Sequence, residues 1–358
     1  MKLFHIINSL ELGGAETLVS DLIIESSRKY NYDIDLIVLN GIDSPLYQKL
    51  DKIKDLKIHK LNNSLYSPKL LIQLYKLVKQ ADVIHFHLFP TLYWVVISHL
   101  LSNSKAKLIY TEHSTHNNRR GNFIFKVLDC IIYRRIDKIV CISKSTQVNL
   151  LNHLGDDFLV KSHIINNGVN LERIVSSVSY DRESLGLLEN DVLLIQIASF
   201  REAKDQATVI KSLKYLPNNY KILFIGIGPL LEPSKELAMK EGVNDRIFFL
   251  GHRTDVEKYI KLSNIVIVSS KYEGFGIVAV EGMACKKPVI ASNVTGLSEV
   301  VKGFGLLFEK GNSKELSDII LSLKEEKKYK ELSDRCFERS TDFDISTVVE
   351  KYHQIYTK

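Results

Sequence analysis

The stretch Lys271-Tyr-Glu-Gly-Phe-Gly-Ile-Val-Ala-Val-Glu-Gly282 decides the fold, because a glycine turn within it joins a buried strand to a helix. The apolar run 265–269 before it predicts a fully buried parallel strand, and residues 277–284 predict a helix. Gly274 and Gly276 fall in the turn between the two. A strand that leads through such a turn into a helix is the building unit of a doubly wound parallel α/β sheet.

The same turn predicts an anion site. A helix N-terminus presents unpaired N–H groups and roughly half a positive charge, and glycine leaves room for a bulky anion such as a diphosphate. Glu273 stands beside the turn and Glu281 lies about two helical turns further on, so each carboxylate could hold a vicinal diol of a sugar or a ribose. The competing interpretation is a glycine-rich turn with two solvated glutamates.

This stretch and several motifs along nearly the whole chain resemble the retaining glycosyltransferases of family 4, which have the GT-B fold. The matching segments occur in the order that the family shows. They are Gly13-Gly14-Ala15-Glu16, Asn167-Gly168-Val169-Asn170, Lys204-Asp205, Phe224-Ile-Gly226-Ile-Gly228-Pro229, Phe249-Leu-Gly251-His252, Met283 to Ser292, and Gly296-Leu-Ser-Glu299.

The resemblance implies two doubly wound Rossmann-like domains that face each other across a cleft. It places an acceptor-binding domain at 1–166 and a nucleotide-sugar-binding domain at 167–343, with a final helix, 344–358, that crosses back to the first domain. Apolar runs that alternate with helical stretches independently predict two parallel sheets. The predicted strands are 3–7, 34–39, 83–87, 108–110, 138–142, 192–198, 220–225, 247–250, 265–269 and 289–291.

Length and composition narrow the range of protein classes to which this chain can belong. A chain of 358 residues is long for one core and favours two domains. No apolar run approaches the ~20 residues that span a bilayer, and the N-terminus does not resemble a signal peptide, so we expect a cytoplasmic protein. The scattered Cys130, Cys141, Cys285 and Cys336 suggest neither disulfides nor a zinc knuckle. No nucleic-acid-binding motif is present, and nucleic acid is not an expected partner.

The net charge of +6 lies entirely in residues 1–168, which hold 21 Lys and Arg against 15 Asp and Glu. Within this part, cations surround an apolar stripe at helical spacing, which predicts a helix that lies on an anionic membrane surface. The alternative is a core helix with solvated cationic ends. The cations are Arg119, Arg120, Lys126, Arg134, Arg135 and Lys138, and the stripe is Phe123, Ile124, Val127, Leu128, Ile131 and Ile132.

The resemblance also implies the residues that bind the donor and carry the chemistry. Lys204 and Arg201 are expected to hold the phosphates without a metal. The arginine usual in the family corresponds to Ser199 here, so Arg201 is expected to replace it. His113 matches a histidine near the transferred sugar. The expected catalytic set is Glu273, His113, Lys204 and Arg201; the donor set is Gly14, Lys204, Arg201, Gly228, His252, Arg253, Gly274, Phe275, Gly276, Ile277 and Glu281.

Two other patterns invite a metal, and we interpret neither as a site. His85 and His87 share one face of a strand, but no third ligand is apparent nearby. Asp33-Ile-Asp35 and Asp342-Phe-Asp344 match the Asp-x-Asp of metal-dependent GT-A transferases, yet the first is expected to enter an edge-like strand and both to be solvated element ends. We therefore expect no metal cofactor.

The resemblance thus implies a retaining glycosyltransferase that moves a sugar from a nucleotide diphosphate, expected to be UDP, to a saccharide or lipid-linked acceptor. Synthesis of a bacterial-type surface polysaccharide or glycoconjugate is the implied setting. Two alternatives stay open: another GT-B enzyme, such as a sugar phosphorylase or sugar-nucleotide epimerase, and a catalytically silent subunit that binds nucleotide sugars. The sequence does not specify the sugar, the acceptor, the linkage or the oligomeric state.

Overall fold

A computed structural model describes residues 1–11, 13–41, 44–114 and 122–358. The chain separates into two compact units, each built around one parallel sheet. Unit 1 comprises Met1–Gly168 together with Ile345–Lys358, and unit 2 comprises Val169–Asp344. The fold is therefore the predicted one of two doubly wound parallel sheets. The assignment of acceptor and donor to these units stays a prediction.

The strands of unit 1 follow the chain with helices between them. Its strands are β1 Lys2–Ile7, β2 Asp33–Val38, β3 Lys57–Lys60, β4 Val83–His87, β5 Lys107–Glu112, β6 Lys138–Cys141 and β7 Ser162–Ile164. Its helices are α1 Gly14–Lys29, α2 Pro45–Leu50, α3 Lys69–Leu77, α4 Thr91–Ser102, α5 Phe123–Arg134 and α6 Lys144–Leu154.

Unit 2 repeats this alternation. Its strands are β8 Val192–Ile197, β9 Tyr220–Ile225, β10 Ile247–Phe249, β11 Ile265–Val268, β12 Val289–Ser292 and β13 Leu306–Phe308. Its helices are α7 Leu171–Ser176, α8 Gln206–Ser212, α9 Leu231–Lys240, α10 Val256–Leu262, α11 Ile277–Ala284, α12 Leu297–Val301, α13 Ser313–Ser322 and α14 Glu326–Ser340. The chain ends with α15 Ile345–Thr357, which belongs to unit 1.

In each sheet the chain reverses the direction in which it adds successive strands. Among the described residues, the unit 1 sheet has the order β3-β2-β1-β4-β5-β6-β7, and the unit 2 sheet has the order β10-β9-β8-β11-β12-β13. The chain winds outward in one direction from β1 and β8, then returns to their other side with β4 and β11. Ligands of doubly wound sheets bind beyond the carboxyl ends of the strands at such a point.

The C-terminal helix α15 covers one face of the unit 1 sheet, which confirms the predicted return of the chain. Its apolar side chains are fully buried against residues of four neighbouring strands, which explains why the helix docks there. The cluster contains Ile345, Val348, Val349, Tyr352 and Tyr356 from the helix and Leu3, Val83, Ile109 and Val140 from the sheet.

The predictions of an edge-like strand and of a solvated Asp35 were wrong, whereas Asp33 is exposed at the start of β2 as predicted. Strand β2 lies between β1 and β3 and is not an edge. Asp35 is buried, its Oδ2 is 2.8 Å from Nε2 of His59, and the same oxygen is 3.9 Å from Nζ of Lys2. The strand therefore carries one exposed carboxylate, Asp33, and one buried, paired carboxylate, Asp35.

Candidate active site

The reversal point of unit 2 brings two loops of distant sequence together. Strands β8 and β11 are parallel neighbours, so the segments that follow them, 198–205 and 269–276, emerge side by side. Nζ of Lys204 in the first loop lies 2.5 Å from Oε2 of Glu273 in the second. Both side chains are partly exposed. A cation and a carboxylate thus meet at the position where this fold binds ligands.

Hydrogen bonds to its backbone carbonyls hold the loop that carries Lys204 in place. Lys204 ends a short 3₁₀ turn, and Asp205 after it has a left-handed φ of 40°. The side-chain amide of Gln196 donates to the carbonyl of Lys204 at 2.7 Å. The N–H of Lys271 donates to the carbonyl of Ala203 at 2.8 Å, which ties the β11 loop to this turn.

The carboxylate of Glu273 is fixed by further contacts. Its Oε2 lies 3.4 Å from the Ser270 hydroxyl, and its Oε1 lies 3.3 Å from the N–H of Gly274. Sequence reasoning missed Ser270, because a serine at the end of a strand carries no distinctive signal. A carboxylate held in one orientation can accept hydrogen bonds from vicinal hydroxyls without losing further freedom.

Gly276 in the turn and Gly296 beside it leave no room for a side chain. Gly276 precedes α11 with a left-handed φ of 94°, and a Cβ there would lie 2.5 Å from Cδ1 of Leu297. Gly296, to which the sequence assigned no function, approaches the same turn, since its Cβ would lie 2.4 Å from the Glu273 carbonyl oxygen. The first turn of α11 therefore begins directly after the predicted loop, and a helix N-terminus favours an anion.

The other residues predicted on this turn differ in exposure. Phe275 is buried and packs edge-on against Phe343, with ring centroids 5.3 Å apart, so its ring belongs to the core. Ile277 is half-buried, and Glu281 is buried at 8 % exposure within α11. The buried position of Glu281 excludes the interpretation of two solvated glutamates.

Gly228 lies where the loops after β8 and β9 touch. A Cβ at Gly228 would lie 2.5 Å from the carbonyl oxygen of Phe200, and its φ is 155°. Gly228 is therefore needed for packing whether or not it binds a ligand. His252 and Arg253 follow β10 and are exposed. The N–H of Gly226 donates to the Gly251 carbonyl at 2.8 Å, so the loops after β9 and β10 are joined as well.

Arg201 and Ser199 are both exposed in the loop after β8. The carbonyl of Arg201 accepts a hydrogen bond from the N–H of Lys204 at 2.9 Å, which places its backbone next to the candidate site. Within the described part of the chain the guanidinium of Arg201 forms no ion pair. Replacement of the family arginine by Arg201 stays a prediction.

Two predicted site residues, Gly14 and His113, belong to unit 1. Gly14 is the first residue of α1, after the carboxyl end of β1. His113 follows β5, is half-buried, and has its Nε2 3.1 Å from Nδ1 of His87. Burial lowers the pKa of His113 to about 4, so its imidazole is neutral at pH 7, with Nε2 engaged by His87; contact with a sugar stays a prediction.

The conclusion that His85 and His87 have no third partner was wrong. His5 on β1 pairs in register with His85 on β4, and the three buried rings form a cluster. The centroid distances are 5.1 Å for His5 and His85 and 4.1 Å for His85 and His87. Sequence reasoning missed His5 because only the pairing of β1 with β4 brings it to the other two.

Helix α5 turns its apolar side chains outward. Its inner face is mixed: Asp129 accepts a hydrogen bond from Tyr93 and pairs with His153, while Tyr133, whose hydroxyl donates to Glu112, lies in the apolar core, and Ile132 of the predicted stripe packs against that core. The outward residues are Phe123 at 78 %, Ile124 at 68 %, Ile131 at 52 %, Val127 at 45 % and Leu128 at 43 % exposure. Five of the six residues of the predicted stripe are therefore exposed in the described structure, whereas Ile132 is partly buried, and membrane contact stays a prediction.

Four of the six cations predicted around this helix lie among the residues that the structure describes. Lys126, Arg134 and Arg135 are exposed, and Lys138 is half-buried at the start of β6. Arg119 and Arg120 lie outside the described residues. No helix in the described ranges combines the length and the apolar character that a membrane span requires.

Known proteins resemble both units. Residues 12–173 match the family described as Glycosyltransferase Family 4, and residues 178–342 match Glycosyl transferases group 1. A glycosyltransferase of Methanocaldococcus jannaschii is 33% identical over 71% of this chain and 70% of its own. The O-antigen biosynthesis glycosyltransferase WclY of Escherichia coli is 22% identical over 99% of this chain and 98% of its own.

Among solved structures, the fold matches HepE of Anabaena in complex with UDP-glucose. The TM-score is 0.86, the sequence identity is 21%, and the match covers 99% of each chain. At this identity the likeness establishes the fold and leaves the substrates of this chain open.

Proposed function

The chain belongs to glycosyltransferase family 4 and is a transferase of the GT-B type, and from this premise we propose that it transfers a sugar from a UDP-sugar, with retention at the anomeric carbon. The observation that carries the proposal is the Lys204–Glu273 ion pair at the glycine turn that opens α11. The name of the HepE complex supports UDP as the nucleotide.

Each side chain of this pair has a distinct role in the proposed reaction. The Lys204 ammonium has three donors, so it can keep its bond to Glu273 and turn another donor to the diphosphate. The free N–H groups at the start of α11 add fixed positive charge at the same point. Glu273 holds hydroxyls of the transferred sugar, and Glu281 holds the ribose diol.

We propose a front-face displacement. The bond between the anomeric carbon and the acceptor oxygen forms on the side from which the diphosphate leaves. The carbon–oxygen bond to the diphosphate breaks with both electrons going to the phosphate oxygen, and the acceptor hydroxyl proton passes to that oxygen. Lys204, Arg201 and the helix amides stabilise the developing negative charge, so the proposal needs no metal.

A donor screen tests this function. Nucleotide sugars are added one at a time, and binding is followed by the rise in Tm, which grows with the ratio of ligand concentration to Kd. We expect UDP-sugars to raise the Tm and transfer to an acceptor to persist in excess EDTA. Loss of transfer with EDTA that manganese restores would contradict the metal-free mechanism.

Product analysis in the same screen separates the alternatives. A phosphorylase would release sugar phosphate only when inorganic phosphate is present, and an epimerase would convert the donor without any acceptor. A silent subunit would bind UDP-sugars without turnover. A transferase requires the acceptor and gives a product with retained anomeric configuration.

Substitution of the two glutamates is expected to give different kinetic effects. Glu281→Ala should raise the donor KM with little change in kcat, because ribose contacts are equal in the ground state and the transition state. Glu273→Ala should lower kcat, because contacts to the reacting sugar strengthen as charge develops. Steady-state kinetics with varied donor measure both, and equal changes in kcat and KM for the two variants would contradict these roles.

We further propose that α5 brings the enzyme to a lipid-linked acceptor at an anionic membrane surface. The support is the exposed apolar face of α5, flanked by Lys126, Arg134 and Arg135. Each cation near an anionic leaflet contributes about 1 kcal/mol, and inserted apolar side chains add to this. The similarity to an O-antigen biosynthesis enzyme agrees with such an acceptor. Attachment to the inner face of the cytoplasmic membrane follows from this proposal.

Vesicle flotation checks this surface. The protein is expected to float with vesicles that contain anionic lipid, to bind neutral vesicles little, and to be released by salt. Phe123→Ser combined with Ile124→Ser should weaken the binding. Val160→Ser is the matched control, because Val160 is 86% exposed in the same unit and lies outside α5. Equal flotation of both variants, or no binding at low salt, would exclude α5 as the attachment site.

A further inference from the structure

The histidine cluster of unit 1 has the composition of a metal site. His5, His85 and His87 are each fully buried, with 0% exposure. Each offers one ring nitrogen, and these three nitrogens lie within 4.8 Å of one another. The cluster forms because β1 and β4 are parallel neighbours and residues 85 and 87 point to the same face of the strand.

Several ring nitrogens of the cluster have no hydrogen-bond partner in the described structure. They are both nitrogens of His5 and Nε2 of His87. Nearly all buried polar atoms in proteins are hydrogen-bonded, so three such atoms in one cluster require an explanation. Imidazole nitrogens are the commonest protein ligands of transition-metal ions, so an ion bound by this cluster would supply the missing partner.

His85 is already oriented from outside the cluster. Its Nδ1 lies 2.7 Å from the Tyr356 hydroxyl, and its Nε2 lies 2.7 Å from the Thr111 hydroxyl. An ion would take the place of one hydroxyl, and the other would hold the ring, as outer hydrogen-bond partners do at metal-bound histidines. If the Thr111 hydroxyl is released, it still has the Tyr352 hydroxyl 3.2 Å away.

We propose that His5, His85 and His87 bind one late first-row transition-metal ion, with Zn²⁺ as the expected occupant. Three imidazoles without a thiolate or carboxylate suit Zn²⁺, Cu²⁺ or Ni²⁺ and do not suit Mg²⁺ or Ca²⁺. Bonds of about 2.0–2.1 Å in a tetrahedral site place nitrogens roughly 3.3 Å apart. The ion therefore draws the three rings closer together.

The ion has a structural role that does not depend on the proposed transfer reaction. It joins β1 to β4 beneath α15, because Tyr356 of that helix contacts His85. His87 also contacts His113 through its Nδ1, so His113 is an outer partner of the cluster. Removal of the ion is expected to lower the Tm, because the link between the two strands is lost.

The test measures the metal content and the thermal stability of the 358-residue chain without a histidine tag. The protein is stripped with chelator, mixed with Zn²⁺, and dialysed. We expect about one Zn²⁺ per chain and a Tm that rises with Zn²⁺ concentration. Loss of an outer hydrogen-bond partner usually lowers metal affinity by about 10- to 100-fold. His5→Phe removes a ligand itself and should lower the affinity for Zn²⁺ by more than this. His59→Gln is the matched control, because His59 pairs with Asp35 outside the cluster.

His87→Leu provides a second ligand variant if His5→Phe does not fold, as judged by circular dichroism and by the Tm of the metal-free protein. Co²⁺ substitution gives an independent readout, since imidazole-bound Co²⁺ in a tetrahedral site absorbs visible light. The proposal is overturned if the wild-type protein, after stripping, addition of Zn²⁺ and dialysis, contains no Zn²⁺. It is also overturned if both folded variants retain as much Zn²⁺ as the His59→Gln control.

Discussion

Lys204→Ala is expected to lower turnover by about 30- to 1000-fold. A charge-assisted hydrogen bond to a developing phosphate charge contributes about 2–4 kcal/mol in a water-excluded site, and each 1.36 kcal/mol changes the rate about tenfold. The substitution also leaves the Glu273 carboxylate without the ammonium that lies 2.5 Å from it in the wild-type enzyme. Both consequences act on the transition state more than on donor binding, so the loss should appear in kcat.

Lys271→Ala is the matched control for this prediction. Lys271 lies in the loop after β11, and its ammonium pairs with the exposed carboxylate of Glu202 at 2.9 Å. Removal of this surface pair should leave kcat within about twofold, because exposed pairs contribute about 0–1 kcal/mol. Near-normal turnover of Lys204→Ala would mean that the diphosphate is bound elsewhere. If Arg201 replaces the family arginine, Arg201→Ala should approach the loss seen for Lys204→Ala.

Tyr352→Ala is expected to destabilise unit 1 by about 3–5 kcal/mol, as removal of a large buried aromatic side chain usually does. Tyr352 is 1% exposed on α15 and packs against the strands of unit 1. The loss is a large part of the 5–15 kcal/mol that stabilises a typical domain. A thermal scan should show a Tm lower by about 6 to 20 °C for a unit of this size.

Tyr352→Phe separates packing from hydrogen bonding. It keeps the buried ring and removes only the hydroxyl that lies 3.2 Å from the Thr111 hydroxyl, so we expect a loss of about 1 kcal/mol. Tyr215→Ala controls for the loss of a tyrosine as such, because Tyr215 is 48% exposed. A Tyr352→Ala protein with the Tm of the wild type would show that α15 does not stabilise unit 1.

The local pattern of apolar residues was sufficient to predict the central strand β11 and the helix α11. The apolar run before Lys271 and the helix after Gly276 were predicted with nearly the bounds that the structure shows, 265–268 and 277–284. Central parallel strands are buried on both faces and therefore read as continuous apolar runs. Strands β3, β7 and β13 were not predicted, because an edge strand is short and only partly buried and carries a weaker apolar signal.

The periodicity of the sequence could not predict which face of α5 lies against the rest of unit 1. The sequence shows an apolar stripe and a set of cations, and burial normally selects the apolar side. Here the inward side carries Asp129 and Tyr133, because partners on other elements satisfy their polar groups. Those partners, Tyr93 and Glu112, become neighbours of α5 only when the sheet and its helices have assembled.

Residue types at short spacing predict the parallel sheets and the glycine turn, and the resemblance of motifs along the chain predicts the family. Tertiary structure alone decided which distant residues meet. Lys204 reaches Glu273, 69 residues away, because β8 pairs with β11, and His5 joins His85, 80 residues away, because β1 pairs with β4. Strand order is set by burial of whole faces of the sheet, a property of the assembled chain that no local segment contains.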